Sequence, residues 1–262
     1  MKQAIMNILF TVCGRAGSKG IKNKNVRNFI DKPLVYYTLS VIDMYIKKHP
    51  ENTCDIALNT DSDLLKNMVL DYRRLTITWI ERKKELAGDK VAKRDVLVDT
   101  LKSMKILKSR KYDIVVDLDI TSPLRTINNV EQAIDKQRDT DSDVVFSVTQ
   151  ARRNPYFNMV KEGDRGYERA LSSPYNTRQE APDLYDMNAS IYVYKERHLL
   201  DGKGVLEGYN EVVFMKDTGI LDLDKEDDME LMQVIAEFLI HTDREYKEIY
   251  ENIYDVNAEN KK

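Results

Sequence analysis

Apolar residues along this chain fall into short unbroken runs, separated by longer stretches in which they recur at helical spacing. Ile8-Leu9-Phe10-Thr11-Val12-Cys13 is one such run and reads as a strand buried on both faces. Leu34 to Ile46 follows Pro33, with Leu34, Tyr37, Val41 and Met44 near helical spacing, and predicts a helix. Ile56–Asn59 predicts a second strand, and Ser62–Tyr72 a helix with Asp61 or Ser62 as its cap. Leu75–Ile80, Ile114–Leu118 and Asp143–Val148 read as further strands, with helices at Val91–Leu107 and Asn128–Arg138 between them. Strands alternating with helices predict an α/β fold, a three-layer and mostly parallel sheet with helices on both faces. Ligands of such sheets bind at the carboxyl ends of the strands.

The alternation breaks after Arg152. Residues 152–187 hold Pro155, Pro174 and Pro182, the glycines Gly163 and Gly166, and the aromatics Tyr156, Phe157, Tyr167 and Tyr175. This composition predicts an extended excursion that serves as a dimerisation arm or substrate lid, with a plain surface insertion as the alternative. A strand at Ala189–Tyr194 and a helix at Asp227–Ile240 then close a single domain over residues 1–262.

A chain of 262 residues can bury a substantial core. Its net charge of −3 argues against nucleic acid as a partner. There is no apolar run of membrane-spanning length and no signal-type segment at the start, so no membrane contact and a cytoplasmic location are expected. Cys13 and Cys54 read as reduced core thiols. His49, His198 and His241 lack ligand spacing and receive no catalytic role.

The first strand runs directly into Gly14-Arg15-Ala16-Gly17-Ser18-Lys19-Gly20-Ile21-Lys22-Asn23-Lys24-Asn25. Glycines let the backbone turn tightly with its N–H groups converging, as a phosphate requires, and the arginine and lysines add positive charge. A nucleoside triphosphate fits best. The spacing is neither that of a Walker loop nor, with Ala16 in place of glycine, that of a dinucleotide fingerprint. Two Asp-Leu-Asp pairs follow apolar stretches, Asp117-Leu118-Asp119 and Asp222-Leu223-Asp224. Either could cradle a hard divalent cation together with substrate phosphates. Either could also be a solvated acidic turn, and Lys225-Glu226-Asp227-Asp228 after the second pair looks like a helix cap.

The loop resembles the R-x-G-S-K-G-x-x-x-K-N signature of sugar nucleotidyltransferases, in the form found among cytidylyltransferases that activate nine-carbon acidic sugars, the CMP-sialate synthetase family. Leu118–Thr126 (LDITSPLRT) resembles that family's L-Q-P-T-S-P-L-R-T, with Asp119 at the usual glutamine. Arg82, Glu85-Leu86-Ala87-Gly88-Asp89 and Asn59-Thr60-Asp61 resemble its nucleotide-side segments. Within the family, the segments Ala151–Asn158, Thr177–Gln179 and Tyr185–Ser190 resemble the legionaminate-activating branch, and Asp186 stands where sialate-activating enzymes carry arginine.

The resemblance implies a Rossmann-like nucleotidyltransferase fold and transfer of CMP from CTP to the anomeric hydroxyl of a nonulosonic acid, with pyrophosphate leaving. N,N'-diacetyllegionaminate is the implied acceptor; N-acetylneuraminate and pseudaminate are the alternatives. It implies Gly14, Arg15, Gly17, Ser18, Lys24, Asn25 and Arg82 at the nucleotide, and Mg²⁺ or Mn²⁺ on Asp222 and Asp224. Asp119, Ser122, Arg178, Gln179, Tyr185 and Asn188 would meet the sugar in a homodimer. A metal-dependent glycosyltransferase using Asp117-Leu118-Asp119, or a non-catalytic nucleotide binder, stays open at this point.

Overall fold

The computed structural model describes residues 5–17, 20–219 and 222–253; Ser18 and Lys19 of the glycine loop, and the patternless tail from Asn257, lie outside them. In chain order the strands are β1 (Asn7–Cys13), the two-residue β2 (Asn28–Phe29) and β3 (Lys32–Pro33), β4 (Thr53–Thr60), β5 (Ile77–Glu81), β6 (Ile114–Leu118), β7 (Val144–Gln150), β8 (Val160–Gly163), β9 (Gly166–Arg169), β10 (Tyr185–Lys195) and β11 (Asn210–Phe214). The helices are α1 (Leu34–Lys48), α2 (Asp63–Leu70), α3 (Lys93–Lys108), α4 (Ile127–Thr140), α5 (Glu196–Leu200), α6 (Glu226–Thr242) and α7 (Arg244–Asn252).

Seven strands form the central sheet in the order β11-β7-β10-β6-β1-β4-β5. β1 lies in parallel register between β4 and β6, with Phe10 beside both Ile56 and Val116. Successive side chains of a strand point to opposite faces. Ile8, Phe10 and Val12 therefore enter the core under α1, α2, α4, α6 and α7. Leu9 faces the other way, joining Leu97, Leu101 and Met104 of α3 and Leu199 of α5. Burial on both faces explains why these strands are apolar without alternation. Three layers result, as the sequence predicts.

Several elements differ from expectation. β10 runs antiparallel to both neighbours, β6 and β7, so the sheet is mixed at that position. It is longer than Ala189–Tyr194 and starts within the excursion, where Tyr185 pairs with Gln150. A fully covered strand has the same apolar run in either direction, so periodicity cannot show its sense. The excursion contains the hairpin β8–β9, closed by Asp164-Arg165 with Gly166 at φ +111°. β11 and α7 have no counterpart in the sequence reading. β11 is an edge strand in which only Val213 is fully buried, and α7 buries only Tyr246 and Ile249 among charged residues. The predicted helices and remaining strands lie within a few residues of their expected bounds, and Ser62 caps α2 by accepting from Leu65 N–H. Among the described residues no helix is long and apolar enough to cross a membrane.

Candidate active site

β1, β4 and β6 end side by side, and a pocket of about 370 Å³ opens there. Gly14 continues β1 and donates its N–H to Asn59 O at the end of β4. A Cβ at Gly14 would lie 2.4 Å from the Leu65 side chain and 2.7 Å from the Asn25 amide, so any larger residue here would push both side chains aside. Gly17 has φ +74°, the left-handed conformation that glycine adopts at no steric cost. The Ala16 N–H is held by the Asp61 carboxylate at 2.8 Å. Arg15 pairs with Asp89, and both side chains line the pocket.

The far end of the same loop meets a segment 200 residues away in sequence. The Lys24 ammonium donates to Leu223 O and lies 3.3 Å from an Asp224 carboxylate oxygen. Gly20 packs so closely on Asp224 that an added Cβ would fall 1.9 Å from its carbonyl oxygen. Lys22, in contrast, is exposed. Asp228 accepts the N–H groups of Asp224 and Lys225, so the acidic start of α6 does serve as a cap. Asp222 is half-buried; burial and the like charge of Asp224 hold its carboxyl above the usual range, against the pull of Lys24.

Arg82 follows β5 and is nearly buried. Its guanidinium donates to both Oδ1 and the backbone carbonyl of Asn59, at 2.8 and 3.0 Å. The Asn59 amide in turn donates to Thr100 of α3. Arg82 is therefore a fixed donor on the pocket wall, beside Leu86 and Val91.

The pocket floor holds a group that the sequence reading left unassigned. Lys93, the first residue of α3, lies 2.6 Å from Asp117 and 2.6 Å from Asp119. Asp117 is wholly buried and also accepts from Thr11 at 2.9 Å. Asp119 accepts from the N–H and hydroxyl of Thr121. Burial alone would raise Asp119, but Lys93 and Thr121 bring it down to about 2. Burial opposes charge on Lys93, yet the two carboxylates raise its pKa well above the usual value. Cys13, at the same floor, is pushed up to about 12 by burial and then by Asp117, which leaves it a protonated thiol. Arg125 is buried beneath, donating to the Asp119 and Ser122 carbonyls and to Ser190. Asp117 and Asp119 are thus tied to a lysine. Lys93 escaped the sequence reading because a lysine opening a helix looks like a solvated face.

Of the residues assigned by resemblance, Gly14, Arg15, Lys24, Asn25, Arg82, Asp119 and Asp224 come together in this pocket. Ser122 and Asn188 instead line a smaller neighbouring depression with Thr149, Met215 and Lys216. Arg178, Gln179 and Tyr185 lie on the excursion, exposed and outside the lining of both. The Arg178 guanidinium donates to Ala151 O at 3.2 Å.

A glycine loop with fixed cations, set opposite a carboxylate pair at a sheet edge, suits a nucleotide carrying several phosphates. Residues 9–250 match the cytidylyltransferase family. This chain belongs to that family. The cytidylyltransferase is 34% identical over 238 residues to post-translational flagellin modification protein B of Campylobacter coli, which covers 89% of this chain and 94% of that relative. It is equally similar, over the same shares, to the CMP-N,N'-diacetyllegionaminic acid synthase of Campylobacter jejuni. An N-acylneuraminate cytidylyltransferase of Streptococcus agalactiae is 27% identical over 262 residues, 97% of this chain and 60% of that relative. The solved structure of a CMP:2-keto-3-deoxy-manno-octonic acid synthetase complexed with CTP has a TM-score of 0.61 at 15% identity, covering 88% of this chain and 99% of that one. That likeness is one of fold.

Arg15 and Lys24, at the two ends of the glycine loop, line the pocket in ion pairs, whereas Lys22 between them is exposed. Arg15→Ala and Lys24→Ala in this cytidylyltransferase are expected to lower kcat/KM for the nucleotide by about 100-fold or more. Lys22→Ala should stay within about threefold of wild type, as an exposed surface charge does. Equal losses at all three positions in a pyrophosphate-release assay would show that the loop acts only as diffuse charge.

Proposed function

We propose that this cytidylyltransferase transfers CMP from CTP to the anomeric hydroxyl of a nonulosonic acid, with N,N'-diacetyllegionaminate as the acceptor. The observation that carries the reading is the pocket itself. It sets the phosphate-type loop and Lys24 against Asp224 at one sheet edge, in a chain 34% identical to a protein named for that product. The acceptor hydroxyl attacks the α-phosphorus, its O–P bond forms as the bond to the β-phosphate oxygen breaks, and pyrophosphate leaves. No protein nucleophile takes part. Arg15, Lys24 and the loop amides hold the triphosphate in line, and alignment with charge stabilisation supplies the rate. Arg82 and Asn25 border the nucleoside. The glycosyltransferase alternative loses its motif, because Asp117 and Asp119 are engaged by Lys93.

Asp222 and Asp224 are the residues that would hold Mg²⁺ or Mn²⁺. Two carboxylates, one half-buried with its carboxyl raised by burial and then by the other, would suit a hard cation whose remaining ligands are phosphate and water. When bound, the ion would neutralise phosphate charge and acidify the attacking hydroxyl. Substrate phosphates and water would supply the remaining ligands.

On the sugar side, the excursion exposes Met159, Val160, Tyr167 and Leu171, and Tyr185 stacks edge-on to exposed Phe214. An apolar arm of this kind supports a homodimer in which Arg178, Gln179 and Tyr185 reach the neighbour's sugar site. Ser122, Asn188 and the adjoining depression would take the acyl substituents.

Three outcomes follow. In a panel of acceptors, kcat/KM for N,N'-diacetyllegionaminate should exceed that for N-acetylneuraminate by at least about tenfold, since mismatched polar groups discriminate more than a methyl does. Comparable rates on N-acetylneuraminate, or a preference for pseudaminate, would reassign the acceptor. Asp222→Asn and Asp224→Asn should each lower turnover by about 100-fold or more while the urea midpoint stays near wild type; near-normal turnover in both would remove the metal assignment. Sedimentation at micromolar concentration should give a dimer, and a fully active monomer would refute the arm's role.

A further inference from the structure

Lys93 occupies a costly position. It opens α3, where the helix macrodipole disfavours a cation, and its side chain is only 35% exposed. The carboxylates on either side of it explain its retention. Asp117 is sealed in the sheet, and Asp119 is 21% exposed on the pocket floor, where a polyanionic nucleotide must bind. Left to themselves, two carboxylates here would repel each other and the nucleotide. Arg125 lies near both and its charge acts on them from beneath, but its described bonds run to carbonyls and to a serine hydroxyl, so among the described residues Lys93 is the cation in direct contact with the pair.

We infer that Lys93 is a positioning residue of the nucleotide pocket, whose ammonium offsets the Asp117 and Asp119 charge beneath the bound nucleotide and holds the turn that carries Asp119. That turn has a second consequence. Asp119 pins Thr121, and Thr121 O accepts the N–H of Leu223, the residue between the paired aspartates. A side chain at the start of α3 is thereby linked to the Asp222–Asp224 segment through three hydrogen-bonded steps. The demand on Lys93 at the pocket floor thus arises because residue 119 is charged. Where a neutral side chain stands at 119, the lysine still serves buried Asp117 but no longer offsets a charge that faces the nucleotide.

The test is a charge cycle read by calorimetric titration with CTP, which needs no acceptor and so does not depend on which sugar is used. K93M should weaken CTP binding by about 20-fold or more, because one uncompensated charge then faces the phosphates. D119N alone should leave affinity within about threefold of wild type or improve it, since the lysine then serves one carboxylate. K93M/D119N should return to within about threefold of wild type, a strong non-additivity that independent sites do not show. K93R, which keeps the charge, should bind within about fivefold. Urea midpoints separate binding from folding, and if K93M does not fold, the double variant and K93R decide the matter. A double variant with a native midpoint that binds CTP as weakly as K93M, or a folded K93M with wild-type affinity, would overturn the inference. Failure of the wild type to release pyrophosphate with any acceptor would instead sink the proposed reaction and leave this result intact.

Discussion

The parallel register of β1 between β4 and β6 is the constraint on which the site depends. With those three strands aligned and pointing the same way, Gly14, Asn59 and Asp119 emerge at one edge. Gly14 can then bond to Asn59 O, Asn59 can orient Arg82, and Asp119 can meet Lys93. The register is itself set by burial on both faces. A slip of one residue would exchange Phe10 for Leu9 and move every side chain of the strand into the wrong core. Hydrophobic packing thus places polar groups that carry no packing energy of their own.

Those polar groups are arranged so that few charges face the pocket alone. Lys24 answers Asp224, Arg15 answers Asp89, and Lys93 answers Asp117 and Asp119. Asp222, half-buried and outside the pocket lining, has its carboxyl raised above the usual range by burial and by Asp224. Pre-paired cations have given up part of their hydration and mobility already, so the donors along this edge are held in place with little left to reorganise.

What was legible before the fold was known follows the same division. Ile114–Leu118 was readable to the residue because both faces of β6 are covered, and Ser62 because a cap is a local chemical event. Arg15, Lys24 and Arg82 were found through a linear motif whose spacing survives folding. The sense of β10 was not legible, since its run of apolar residues is symmetrical under reversal. β11 and α7 were missed because each contributes only one or two buried side chains. Lys93 was invisible for a different reason: its partners lie 24 and 26 residues away on another element, and only tertiary structure reveals that its ammonium lies between them.

The reversed strand β10 has one more effect. β7 delivers the chain to the ligand edge at Gln150, and an antiparallel β10 begins at that same edge, at Tyr185, opposite Gln150. The two anchor points of the excursion are therefore already adjacent, and closing a loop between fixed neighbours costs only a slowly growing entropy as the loop lengthens. Whatever is inserted there places no demand on the register of β1. That segment can lengthen, shorten or be rewritten at a single strand reversal while the edge that carries Gly14, Arg82 and Asp119 keeps its geometry.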